Sequence, residues 1–280
     1  MNIIITGQKG LIGHYLKERL EKEGHKIMRS IDIREGQDIS SLKDLNINEK
    51  IDLFIHAAAH CKINAGIENP ELPHYNNSEG TFKVLEFCRK NNIPKIINFS
   101  SSRILSKEKN PYTASKIYGE ELCKAYWQCY GIKYIIIRPS TVYGPFWDKT
   151  QRLIHKFIVN ALNGKDLEIY GNPKTKTLDF TYIDDFIDGI MLAIKQDNKE
   201  YNISGEEEYN IMRLAEFIIS ETNSKSKIKI LNSETAQPQQ VKVDISEIKK
   251  IGYNPKVNLE EGVIKTIKWY KEYLKNNPLD

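Results

Sequence analysis

The first thirteen residues constrain the fold more than any other part of the chain. Met1-Asn2-Ile3-Ile4-Ile5 is a short apolar run, Thr6-Gly7-Gln8-Lys9-Gly10-Leu11-Ile12-Gly13 follows at once, and His14 to Lys22 is amphipathic. That order is strand, glycine turn, helix. Gly7, Gly10 and Gly13 stand in a GxxGxxG spacing. The first two let the backbone turn tightly and approach a pyrophosphate. The third lets the helix sit close on the strand, and the unpaired N–H groups of the helix N-terminus face the phosphates. Glycines punctuate many turns. Lying after a strand and before a helix, these meet the context that dinucleotide binding requires.

Strand-like and helix-like segments alternate beyond that point. Ile27 to Ile33, Asp52 to Ala58, Lys95 to Phe99 and Lys133 to Arg138 read as strands, and Glu79 to Asn91 and Pro111 to Tyr130 as helices. This alternation predicts a doubly wound α/β fold of Rossmann type, a parallel sheet with helices on both faces. After Pro145 the texture changes to helical patterns (Lys149 to Asn163, Asp184 to Gln196, Met212 to Thr222, Leu259 to Lys275) joined by short strands and loops. The reading is a first domain over 1–145, to which 178–196 return, and a smaller discontinuous substrate lobe over 146–177 and 197–280. The longest apolar runs are far too short to span a bilayer. With no leader ahead of the first strand, the expected location is the cytoplasm. A net charge of +4 with the two signs interspersed suits an anionic small molecule and gives no basic stripe for nucleic acid. Cys61, Cys88, Cys123 and Cys129 show no CxxC pair and no metal-ligand spacing.

Asp32 stands 19 residues after Gly13 at the end of the second strand. A carboxylate there accepts hydrogen bonds from both adenosine ribose hydroxyls and repels a 2′-phosphate, which favours NAD. Arg34, two residues on, keeps NADP open. Asp38 and Ile39 are placed to meet an adenine edge. Ala57, Ala58 and Ala59 follow another strand, where small side chains let the backbone lie along a cofactor or simply pack tightly. Tyr112 and Lys116 are four apart and share one face of a helix. An unperturbed tyrosine, with a pKa of about 10, is a poor base at neutrality. A lysine ammonium beside it and an oxidised nicotinamide stabilise the phenolate. With a serine at the preceding strand end, Ser100-Ser101-Ser102, these groups can take a proton from an alcohol while hydride leaves its carbon.

Together these residues resemble the extended branch of the short-chain dehydrogenase/reductase superfamily, the NAD-dependent epimerases and dehydratases of nucleotide sugars. The resemblance runs through TGQKGLIG, HAAA, Asn76-Asn77-Ser78-Glu79-Gly80-Thr81, FSSS, YTASK, Arg138-Pro139-Ser140-Thr141-Val142-Tyr143-Gly144-Pro145, DFTYIDD from Asp179 and the helix from Leu259. It implies that Leu11 and Ile12 offer backbone to the pyrophosphate, that Asn76 supports the nicotinamide side and that Ser140 lies close to the ring. It makes Ser102, Tyr112 and Lys116 the catalytic triad. Ser102 is preferred over Ser101 because KIINFSSS aligns on the epimerase pattern without gaps. It also implies a homodimer through the helices Glu79 to Asn91 and Tyr112 to Tyr130.

The chain departs from the pattern in useful places. Dehydratases of this branch carry an acidic pair directly after the triad serine or threonine, whereas Arg103 and Ile104 follow Ser102. Residues that bind the substrate diphosphate are replaced by Thr141, Leu178 and Gln237. Each missing arginine removes a bidentate partner for phosphate, a charged hydrogen bond of about 1.5–3 kcal/mol. Lys174 and Lys176 are near in sequence and partly replace the charge as point charges. Tyr170 either stacks on a base or sugar face or plugs the gap between lobes. The leading expectation is an NAD-dependent sugar epimerase acting on a nucleotide-linked sugar. A 4-keto reductase or dehydrogenase is the alternative, and a non-catalytic dinucleotide-binding regulator a third reading.

Overall fold

The computed structural model describes residues 1–277; the last residues of the expected C-terminal lobe, 278–280, lie outside the described residues. The chain begins β1 (Asn2–Thr6), α1 (Leu11–Lys22), β2 (Lys26–Ile31), β3 (Leu53–His56), α2 (Ile63–Glu68) and the single turn α3 (Glu71–Pro73). It continues α4 (Gly80–Lys90), β4 (Lys95–Phe99), α5 (Pro111–Tyr130), β5 (Lys133–Pro139), β6 (Thr141–Tyr143), α6 (Leu153–Leu162), β7 (Leu167–Tyr170) and β8 (Thr177–Tyr182). It ends α7 (Ile183–Ala193), β9 (Lys199–Ile203), β10 (Glu208–Asn210), α8 (Ile211–Thr222), β11 (Ile228–Leu231), α9 (Ser246–Lys249) and α10 (Leu259–Asn276). No described helix is long and apolar enough to cross a membrane.

A six-stranded parallel sheet in the order β2-β1-β3-β4-β5-β9 forms the centre. Its inner strands are apolar on both faces because helices cover both. Alternate residues divide between two cores. Ile3, Ile5, Ile97, Ile135 and Ile137 pack on the side that carries α1 and α7, and the same cluster runs on into the smaller lobe through Phe157, Leu214 and Tyr270. Ile4, Phe54, Ile96 and Ile136 face Val84, Leu85, Cys88 and Cys123 of α4 and α5. Cys88 and Cys123 are therefore packing residues, and Cys61 and Cys129 are exposed free thiols.

The sheets divide the chain differently from the sequence expectation. β8, expected within the returning segment 178–196, pairs with β6 of the expected first domain on one side and with β10 of the expected lobe on the other. Lys199–Ile203, expected in the substrate lobe, is the edge strand β9 and pairs with β5 in parallel. Only Tyr201 and Ile203 of β9 are apolar and buried, so its sequence carries a weak strand signal. The helix expected from Lys149 begins at Leu153, because the Asp148 carboxylate accepts N–H bonds from Thr150 and Arg152 and holds a turn there. The strand expected to reach Ile33 ends at Ile31, where Asp32 turns the chain by capping a short helical turn over Ile33–Glu35.

Candidate active site

The glycine turn is built to bring backbone together. Gly7 has φ +77°, and a Cβ there would lie 2.7 Å from the Ala58 nitrogen. A Cβ on Gly13 would lie 2.1 Å from the Gly7 carbonyl oxygen, so Gly13 lets α1 close on the turn itself rather than on the strand. Gly10 is the N-cap of α1 and has no side-chain oxygen to occupy the first N–H groups. The turn, the ends of β2 and β3 and the start of α6 enclose a cleft of about 370 Å³. Gly7, Gly10, Leu11, Ile12, Gly13, Asp32, Asp38, Ile39, Ala57, Ala58, Ala59 and Asn76 all line it.

Asp32 is buried, and its two carboxylate oxygens accept the backbone N–H groups of Lys9 at 2.8 Å and Arg34 at 2.9 Å. Those bonds fix the carboxylate at the cleft and leave lone pairs on both oxygens. The Arg34 guanidinium donates to the Lys9 carbonyl, which ties it to the glycine turn. Asp38 caps the turn from Ile39 and accepts from Ser40 N–H; the Ser40 hydrogen bonds hold its carboxyl below the ordinary value. Beneath the cleft, Thr6 Oγ1 lies 2.9 Å from His56 Nδ1 and accepts the Ala58 N–H at 3.1 Å. Burial, helped by the Lys116 charge, pushes the His56 imidazole down to about 3 and keeps it neutral.

Tyr112 and Lys116 sit in the first two turns of α5. Asn110 starts that helix with a reciprocal cap: its Oδ1 accepts Thr113 N–H at 3.0 Å and its own N–H donates to Thr113 Oγ1 at 2.9 Å. Both side chains are buried. The Lys116 ammonium donates to the Phe99 carbonyl at 2.8 Å and lies 6.0 Å from the centre of the Tyr112 ring. Burial lowers Lys116 to about 8 and pushes Tyr112 up to about 12. The groups that pull the phenol back down are the nearby Ser101 side chain and the charges of Arg103 and Arg152. Burial thus opposes the depression expected from the Lys116 ammonium and an oxidised nicotinamide acting together. Tyr112 and Lys116, expected to touch the cofactor, do not themselves line the cleft; Cys61, which does, is close enough to act on both.

Of the two candidate serines, Ser101 is the one close enough to Tyr112 to lower its phenol. Ser101 ends the extended segment and caps the turn Ser102–Leu105, accepting Arg103 N–H at 3.2 Å. Ser102 is buried as the first residue of that turn. Ser140 does not line the cleft; its hydroxyl lies 2.5 Å from Thr181 Oγ1. Asn76 reaches the cleft but is exposed and donates to Leu72 O, while the buried asparagine of the pair is Asn77, which bridges His60 and Ser115 Oγ. Arg152 and Asp148, joined at 2.7 Å on the opposite wall, carry charge into the cleft. No sequence pattern singled out Asn77, Asp148 or Arg152.

A second cavity, of about 230 Å³, opens between α6, β7, β8 and residues 234–238. Tyr170, Lys176, Leu178 and Gln237 line it together with Arg103. Tyr170 is a half-buried wall of this cavity and donates to Glu168 at 3.0 Å. Lys176 is buried 3.7 Å from Glu234, and burial lowers its pKa. Lys174 is exposed and lies outside the lining. Thr141 faces a separate pocket of about 20 Å³ with Leu11, Asp148 and Arg152.

The model of the family described as NAD dependent epimerase/dehydratase matches residues 3–211. A UDP-glucuronate 4-epimerase of Thermodesulfobacterium geofontis is 28% identical over 312 residues, covering 96% of this chain and 96% of that protein. The solved UDP-glucuronic acid 4-epimerase of Bacillus cereus, in complex with UDP-glucuronic acid and NAD, superposes with a TM-score of 0.84 at 27% identity, over 98% of this chain and 100% of that one. A UDP-N-acetylglucosamine 4-epimerase of Methanobrevibacter ruminantium gives 0.86 at 26% identity, over 97% and 98%.

Proposed function

Because the chain belongs to the NAD dependent epimerase/dehydratase family, we propose that it inverts a hydroxyl-bearing ring carbon, C4, of a nucleotide sugar. The observation that carries this reading is the buried Tyr112–Lys116 pair, one helical turn apart beside a cleft fitted for NAD. The fit rests on the Gly7–Gly13 contact, which a single added Cβ would break, and on the fixed carboxylate of Asp32. Leu11 and Ile12 would offer their amides to the pyrophosphate, and Asp32 would accept the ribose hydroxyls.

When bound, NAD supplies a reversible acceptor for the hydride of the reacting carbon. Tyr112 takes the proton of the sugar hydroxyl at its phenolic oxygen and later returns it. Lys116, held by Phe99 O and still mostly protonated at neutral pH, supports the phenolate electrostatically. Ser101, with Ser102 as the alternative, holds the sugar oxygen in line. Inversion requires the oxidised sugar to present its other face before the hydride returns.

Relatives that are 4-epimerases support this class. Arg103 and Ile104, standing where dehydratases carry an acidic pair, favour it over dehydration. The exposed rings of Phe82 on α4 and Tyr118 on α5 support a homodimer through these helices, which a solution mass of one chain would contradict. The test of function is anaerobic incubation of NAD-loaded protein with UDP-glucose, UDP-glucuronate and UDP-N-acetylglucosamine, followed by chromatographic separation of epimers. The reading requires at least one sugar to be converted and Tyr112→Phe to slow conversion about 10²–10⁴-fold. Conversion of none, or equal rates for both proteins, overturns it.

A further inference from the structure

Arg103 is half-buried on the wall of the 230 Å³ cavity. Among the described residues its guanidinium makes no hydrogen bond, and no carboxylate lies within the 4.0 Å of an ion pair. The neighbouring cation is different: Lys176 faces Glu234. A guanidinium has five N–H donors in a fixed fork, and withdrawing it from water without an acceptor is unfavourable. The protein around it lowers its pKa, the expected consequence of that withdrawal. An unpaired fork of this kind on a cavity wall fits a tetrahedral or planar anion with paired oxygens.

Its place in the cavity narrows the anion. Arg103 is two residues beyond Ser101, the serine at the phenol, and its charge reaches Tyr112 on one side and Glu234 and Asp179 on the other. The lining of the same cavity also includes Phe157, Ile169, Tyr170, Ile211 and Pro238. A flat base suits that lining. Arg103 thus joins the neighbourhood of Tyr112 to the cavity that holds the aromatic ring of Tyr170, and it is not part of the NAD cleft, whose lining is a separate set of residues.

We propose that Arg103 grips the diphosphate of the nucleotide sugar, the charge that Leu178 and Gln237 do not supply on the same cavity. This rests on the nucleotide-sugar reading of the site. Arg103 is a substrate-binding residue in this account, and its loss acts on affinity before it acts on chemistry.

The test is calorimetric titration of NAD-saturated protein with UDP-glucose, UDP-glucuronate and inorganic pyrophosphate. Saturation with NAD removes the competing pyrophosphate site. Arg103→Gln weakens all three anions by a common factor of roughly ten to a hundred, and Arg103→Lys restores part of the loss. Unchanged NAD affinity and thermal midpoint in both variants show that the fold is intact. A loss confined to UDP-glucuronate overturns the assignment in favour of a sugar carboxylate, and unchanged affinity for all three overturns it outright. If the unaltered protein binds pyrophosphate through Arg103 but neither UDP-sugar, the anion site stands and the nucleotide-sugar reading falls.

Discussion

At the scale of single residues, the site is governed by what burial does to charge and by where a methyl group has no room. His56 stays neutral under the cleft with a pKa of about 3, against about 6.5 for an unperturbed imidazole. The unfolded chain therefore binds a proton that the folded chain refuses throughout the window between those values. Stability contributed by this group is complete above pH 6.5 and is lost as pH falls. Between pH 6.5 and 5 the loss amounts to about 1.5–2 kcal/mol. Denaturant titrations across that range should show His56→Asn gaining about 1.5–2 kcal/mol on the unaltered protein as pH falls from 6.5 to 5. Asp179, raised to about 6 by burial, drives stability the other way as pH rises. It is common to both proteins and drops out of the difference. Gly13 is the steric counterpart. Gly13→Ala forces a Cβ against the Gly7 backbone at 2.1 Å, whereas Gly10→Ala touches Gly7 O at only 3.4 Å. The first should destabilise by about 1–3 kcal/mol and the second by clearly less, read from urea midpoints. Equal midpoints for the two variants would remove the steric account of the turn.

At the scale of elements, α5 is the part that must be placed accurately. Its cap does more than close a helix end. Asn110 Nδ2 also donates to Ala236 O at 3.1 Å, so one side chain ties the start of α5 to the segment bordering the substrate cavity. Tyr112 follows two residues later. Asn110→Ala should cost about 1 kcal/mol of stability. It should lower kcat several-fold with NAD affinity unchanged, because the cofactor cleft takes none of its lining from this helix. A fall in NAD affinity of the same size would show that the two sites are not separately built. The elements legible in sequence were those whose physics is local. β1, the glycine turn and α1 follow from an apolar run, three glycines and an amphipathic stretch. α5 follows from a cap, Pro111 at its first position and Gly131, φ +72°, at its end. β9 was not legible, since a strand with two buried apolar residues is defined by its partner β5, more than sixty residues earlier in the chain.

At the scale of the whole molecule, one apolar cluster joins the sheet to the smaller lobe, so the cofactor cleft and the substrate cavity share a continuous support. The residues of the cofactor cleft were legible because each serves a backbone or a carboxylate role at fixed spacing. In the second cavity Tyr170, Lys176, Leu178 and Gln237 were reached through the family resemblance, and Arg103 was not. Arg103 reads in sequence only as the absence of an acidic pair, and Ser101 and Ser102 are chemically identical until the turn Ser102–Leu105 gives them different places, one as its cap and one as its first residue. The central claim is that Tyr112 moves a proton while hydride leaves and returns to the same sugar carbon without exchange with water. The most direct measurement is proton NMR of UDP-glucose or UDP-glucuronate turned over in deuterium oxide by NAD-loaded protein. The account predicts a C4 epimer that retains its C4 hydrogen, formed by the unaltered protein and not detectably by Tyr112→Phe. Deuterium at the inverted carbon, or undiminished inversion by the variant, would contradict it.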